Sequence, residues 1–149
     1  MVVIMLTDKY EILKDKLVKH EGISRYAYQD TVGMTTIGVG RNIDAKGGRG
    51  LSTDEIFYLL QNDISLVENQ LSKYEWFTYL NSVRQEAIIE LTFNIGLPRL
   101  LEFHNMISAL VAKNFSQAAR ALLDSKWADE VGKNRSQDVA QRLNLGRYL

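Results

Sequence analysis

The sequence predicts a mainly helical α+β fold, with one short hairpin near the start and helices from there to the end. Three observations support this. Two-residue alternation is confined to 25–39, where Tyr26 and Tyr28 precede the break Asp30-Thr31-Val32-Gly33, and Ile37 and Val39 follow it. From Ser52 onward, apolar residues recur at helical intervals instead. The 149 residues, 46% hydrophobic and 24% charged, have the composition of one globular domain or two small lobes sharing a core.

Taken in order, the apolar start Met1–Leu6 is too short to span a bilayer and lacks the flanks of an export signal. It is expected to pack on the core. Thr7-Asp8 reads as a helix start, Tyr10, Leu13, Leu17 and Val18 as the helix's apolar spacing, and Gly22 as its stop. The hairpin follows, then a glycine-rich loop over 42–50. Ser52 through Glu55 has the capping-box spacing, opening a long helix with the stripe Ile56, Leu60, Ile64, Val67 and Leu71. A second strongly periodic helix covers 82–95 with Ala87, Ile88, Leu91 and Ile95, and ends at Gly96 before Pro98. Further helices fit 103–113, 116–124 (with Ser116 as cap) and roughly 134–143. The organisation is a helix-plus-hairpin lobe, a long helix, and a larger helical lobe.

Charge and cysteine usage narrow the function classes. Lys plus Arg and Asp plus Glu are 18 each, so the chain lacks the basic excess typical of a nucleic-acid binder. The zero total divides into +2 over residues 1–50, −5 over 51–110 and +3 over 111–149. With no cysteine and two histidines, a disulfide scaffold, a thiolate zinc site and a multi-imidazole metal site are all excluded.

The densest chemistry lies in Glu21–Arg41. Glu21 follows Leu17 and Val18 by four and three residues, beside the apolar face of the first helix and in its last turn. Partial burial and the helix dipole would both favour the neutral acid, the form a general acid needs. Asp30, in a solvated bend, is expected to stay ionised. Thr36 shares its strand face with Gly38 and Gly40, which leave that face bare for a ligand. Two carboxyls in unlike settings and a hydroxyl able to hold water suit glycoside hydrolysis. Spacing alone does not single them out, since Asp in turns and Glu at helix ends are commonplace. Gly38-Val39-Gly40 is not a nucleotide fingerprint, because position 43 is Ile and no helix follows at once.

The run E-x8-D-x5-T-I-G-x-G, formed by Glu21, Asp30 and Thr36–Gly40, closely resembles the phage lysozymes of glycoside hydrolase family 24. The stretches 51–56 and 84–96, Ser125-Lys126-Trp127 and Lys133-Asn134-Arg135 resemble other parts of that family, so the likeness covers about residues 10–147. It implies a lysozyme-like two-lobe fold with a cleft: a small lobe at about 10–52, an inter-lobe helix at about 53–72, and a helical lobe at about 73–149 on which the first helix packs. The implied reaction is hydrolysis of the β-1,4 bond between N-acetylmuramic acid and N-acetylglucosamine in peptidoglycan. Glu21 would protonate the leaving oxygen, while Asp30 and Thr36 would position water or stabilise the sugar cation. Inversion is implied, with carboxyls roughly 6.5–9.5 Å apart.

By the same resemblance Arg135 pairs with the catalytic glutamate and favours its ionised form, and Asn42, Phe93, Asn94 and Met106 contact substrate. Departures are Arg41 where the family usually has His, a 42–50 loop shorter than in the T-even phage enzymes, and Met106 and Ala121 at sugar-contacting positions. His20 and His104 match no catalytic role. The expectation is a monomeric endolysin needing no cofactor or metal, with a glycan strand as partner, no nucleic acid and no membrane insertion. It would accumulate in the host cytoplasm and reach the periplasmic wall through a separate membrane-permeabilising protein. Rival readings are a lytic transglycosylase using Glu21 alone and a non-catalytic peptidoglycan-binding module.

Overall fold

A computed structural model describes residues 9–149. The expectations for Met1–Leu6 and for a helix start at Thr7-Asp8 lie outside the described residues. The chain divides into two compact units, Met1–Ile56 and Phe57–Leu149. Among the described residues there are nine helices and one three-stranded antiparallel sheet, a mainly helical α+β fold as expected.

In the first unit, α1 (Glu11–Glu21) ends where the Gly22 N–H donates to the Val18 carbonyl. None of its residues is buried, and Leu13, Leu17 and Val18 all stand exposed. The hairpin is β1 (Ser24–Gln29) and β2 (Thr35–Gly38), paired Tyr28 to Thr36 and Gln29 to Thr35, with a bulge between Ser24 and Tyr28. A third strand that periodicity missed, β3 (Arg41–Asn42), pairs Thr36 with Asn42 and Ile37 with Arg41. Two residues are too few to show alternation. The strand exists because Gly40, at φ 66°, lets the chain reverse at once after β2.

The loop that follows folds back on the sheet. Asp44 accepts the Thr35 N–H at 3.0 Å and the Lys46 N–H at 2.8 Å, and those two bonds hold its carboxyl below the ordinary range.

The capping box at the start of α2 (Thr53–Leu71) forms as expected. Ser52 Oγ accepts the Glu55 N–H at 3.2 Å, and Glu55 accepts the Ser52 N–H at 2.9 Å. Glu55 does a second job. Its carboxylate takes Arg41 in a two-pronged pair at 2.8 and 2.6 Å, while Arg41 also donates to the Gly50 carbonyl. The expected stripe along α2 deepens toward the C-terminus: Ile56 is half exposed, Leu60, Ile64 and Val67 are partly covered, and Leu71 is fully buried.

The second unit is built from α3 (Glu75–Thr78), α4 (Ser82–Ile95), α5 (Leu97–Leu100), α6 (His104–Val111), α7 (Phe115–Leu123), α8 (Lys126–Val131) and α9 (Lys133–Leu145). Helix α4 has the bounds its periodicity predicts, and Ala87, Ile88, Leu91 and Thr92 form its buried stripe. It packs on α5 and α9, while α7 packs on α6 and α9. Phe77, Leu100, Met106, Leu122, Trp127 and Leu143 complete the core.

The cap of α7 is Asn114, not Ser116. The Asn114 side chain accepts the Gln117 N–H at 3.2 Å, and the Ser116 hydroxyl donates to the same oxygen.

Arg84 closes α9. It donates to the Leu143 and Asn144 carbonyls at 2.8 and 2.7 Å and lies 3.6 Å over the Phe115 ring. Burial, which takes the charge out of water, lowers its pKa. Gly146 makes this closure possible: at φ 67° it ends α9, and a Cβ there would meet Arg84 at 2.8 Å. No helix among the described residues is long and apolar enough to cross a membrane.

Candidate active site

Glu21 is the last residue of α1, as its spacing predicts. It is exposed, however, so the partial burial expected for it is not found. The apolar residues before it, Leu17 and Val18, are themselves exposed and supply no low-dielectric cover. Its carboxylate instead lies over Gly40. A Cβ at Gly40 would stand 3.1 Å from Glu21 Oε2. The bare glycine face anticipated for a ligand is therefore occupied, at Gly40, by the glutamate itself. At Gly38 the space remains open.

Asp30 and Thr36 are joined through the backbone of one residue, Met34. The Met34 N–H donates to Asp30 Oδ1 at 2.8 Å, and the Met34 carbonyl accepts the Asp30 N–H and the Thr36 hydroxyl, each at 2.9 Å. Val32 N–H also donates to Asp30 Oδ1 at 2.9 Å, which locks the turn. Oxygen Oδ2 of Asp30 has no hydrogen-bond partner among the described residues. Thr36 is 4% exposed, with its proton committed to Met34 and its oxygen left as an acceptor. An acceptor carboxylate oxygen and an acceptor hydroxyl, both fixed to the backbone of Met34, can hold and polarise a water.

Asn42 lies directly opposite Thr36 in the sheet, and Tyr28 opposite it on the other side. Its Oδ1 accepts the Asp44 N–H at 2.9 Å, leaving its amide N–H groups for a ligand. Arg41 points its charge at Glu55, whose carboxyl it draws down to about 2 with help from the Ser52 N–H. Arg41 thus joins the sheet to the first turn of α2.

In the second unit, Phe93 is half exposed at the end of α4, and the next residue, Asn94, has its Oδ1 held by Trp127 Nε1 at 2.8 Å. That bond fixes which way the amide faces. Met106 is 1% exposed and lies mainly in the core, with an edge reaching a groove of about 470 Å³ that Ala121 and Trp127 also line.

Arg135 stands in the first turn of α9, its Nε 3.6 Å from Glu90. Glu90 also takes the buried Arg142 at 2.6 Å, and Asp138 takes Arg142 at 3.0 Å. Burial opposes the Arg142 charge, but the two carboxylates outweigh it and its pKa is raised. Among the described residues no group of His, Asp and Glu could hold a metal ion.

Sequence reasoning missed the linking role of Met34, because a peptide group leaves no mark in residue identity. It also passed over Asn105 and Gln117, which line the groove. Gln117 precedes Ala121 by one helical turn, a spacing that could have found it.

A family model described as phage lysozyme matches residues 18–144. Among curated proteins, the chain is 25% identical to probable T4-type lysozyme 1 of Dictyostelium discoideum, covering 90% of this chain and 94% of that one. It is 31% identical to the endolysin of Salmonella phage P22, covering 72% and 76% of the two chains. The pre-baseplate central spike protein Gp5 of Enterobacteria phage T4 matches at 23% identity, over 90% of this chain and 28% of its own length. A family match across most of the chain, on a helical fold carrying the Glu21, Asp30 and Thr36 constellation, leads to one conclusion: the chain belongs to the phage lysozyme family and is a glycoside hydrolase.

Proposed function

We propose that this lysozyme cleaves the β-1,4 bond between N-acetylmuramic acid and N-acetylglucosamine with Glu21 as general acid. The coarse activity, peptidoglycan hydrolysis, follows from family membership; the residue roles are our reading. Glu21 protonates the leaving glycosidic oxygen, while Asp30 Oδ2 and Thr36 Oγ1 hold the attacking water against the anomeric carbon. Water attacks the face opposite the leaving group, the C–O bond breaks with its electron pair left on the glycosidic oxygen, which takes the proton of Glu21, and Asp30 receives a proton of the water. This is the inverting course, in which the second carboxylate serves as base.

The observation that carries the reading is the Met34 backbone, whose N–H and carbonyl hold Asp30 and Thr36 and leave one acceptor on each open. Asn42, Phe93, Asn94 and Met106 contact the glycan, while Arg135, expected by resemblance to support the acid, stands 3.6 Å from Glu90.

The physiological role is that of an endolysin, as the P22 relative is named. The chain acts as a monomer, without cofactor or metal. Made in the host cytoplasm, it reaches the wall once a separate protein permeabilises the membrane. Turbidity loss of permeabilised Gram-negative cells tests the central assignment. Glu21→Gln is expected to abolish lysis, and lysis equal to the parent would refute the role of Glu21. Mass spectrometry of the products is expected to show reducing muramic ends; anhydro ends would assign a transglycosylase instead.

A further inference from the structure

We propose that Asn105 and Gln117 recognise the acetamido groups of the glycan strand, in the groove on the helical unit. The inference rests on the glycan-hydrolase reading and goes beyond the residues that reading assigns. The groove, of about 470 Å³, runs between α6, α7 and the start of α8. Its apolar lining includes Met106 and Trp127, each 1% exposed, and the small side chain of Ala121. Met106 and Ala121 cannot donate a hydrogen bond through their side chains, although they stand where the resemblance puts sugar contacts. A polar ligand in this groove must find its partners beside them.

Two side chains meet that need. Asn105 adjoins Met106 on α6, and Gln117 precedes Ala121 by one turn on the groove-facing side of α7. Both are exposed, and neither side-chain amide has a hydrogen-bond partner among the described residues. An amide offers a donor and an acceptor side by side, which matches the N–H and C=O of an acetamido group. Ala121 and Met106 then provide an apolar recess of the right chemistry for the acetyl methyl.

The rim favours a neutral ligand. Glu102 and Asp124 oppose Arg99 and Lys126, and Arg99 is already paired with Glu130 at 2.9 Å. A balanced rim gives no net pull on an anion or a cation. An uncharged N-acetylhexosamine fits it, and a phosphate does not.

Calorimetric titration tests the proposal, using the full chain carrying Glu21→Gln so that ligand is not consumed. The probes are the β-1,4 tetramer of N-acetylglucosamine and the β-1,4 tetramer of glucose, which has the same linkage and no acetamido group. Asn105→Ala and Gln117→Ala are each expected to weaken the acetylated tetramer about 2- to 10-fold, the scale of one hydrogen bond. Both should also narrow the preference over the glucose tetramer, while Ser116→Ala, capped away on α7, leaves both affinities unchanged. The proposal is overturned if the amide variants bind like the parent, if the preference persists in them, or if the parent binds neither tetramer. Failure of the catalytic reading is separable: it would appear as lysis by Glu21→Gln whatever the titrations give.

Discussion

At the scale of single residues, the site is governed by what can approach what. Gly40 is the sharpest case, since its missing Cβ is the space over which Glu21 lies, with Oε2 3.1 Å from where that carbon would be. Its φ of 66° adds backbone strain to any substitution. Gly40→Ala is therefore expected to displace the carboxylate and cost roughly 10- to 100-fold in kcat, the effect of a misplacement of about an ångström. Lysis rates alongside circular dichroism will check this; full activity with an intact fold would exclude the contact as functional.

The residue scale is also where the sequence was most legible. Glu21, Asp30 and Thr36 stand out once their spacing is compared with a known family. The burial of Glu21 was not legible. Leu17 and Val18 have helical spacing, but spacing reports only which face is apolar, and in the structure that face is exposed.

At the scale of elements, boundaries set by caps were legible and those set by tertiary pairing were not. The capping box at Ser52 and the stop at Gly96 fix α2 and α4 because their chemistry is local. Strand β3 and the short helices α3, α5 and α8 escaped, since a two- to six-residue element depends on its neighbours more than on its own period.

The Arg41–Glu55 pair shows an element-level consequence. Folding lowers the Glu55 carboxyl from 4.5 to about 2. A group lowered by folding contributes stability above its unfolded pKa, and that contribution is lost as pH falls through the folded value. Thermal stability should thus decline between about pH 4.5 and pH 2 through this pair. Glu55→Gln is expected to flatten that part of the curve while lowering stability at neutral pH. Melting temperatures against pH provide the measurement, and parallel curves for variant and parent would deny the pair any share.

On the scale of the whole molecule, two compact units divide the labour. The first carries the sheet with the candidate acid, carboxylate and hydroxyl, and the second carries the main core and the groove. Composition had announced a core of this size, and the 82–95 periodicity had located its middle. What composition could not announce is how the second unit closes on itself. Arg84, from α4, satisfies the last carbonyls of α9 some sixty residues later, with Gly146 providing the room. Arg84→Ala leaves those carbonyls without their donors and is expected to cost about 1–3 kcal/mol. Urea unfolding will measure it, and a change within error would show that water replaces the guanidinium fully.

The backbone of Met34 bears on how such a site is recognised. In the pattern joining Asp30 to Thr36, position 34 counts as a blank, because nothing asked of it involves a side chain. What it supplies is an N–H and a carbonyl, and every residue but proline has both. The blank is a working part of the machinery, one whose alphabet is defined by a single forbidden letter.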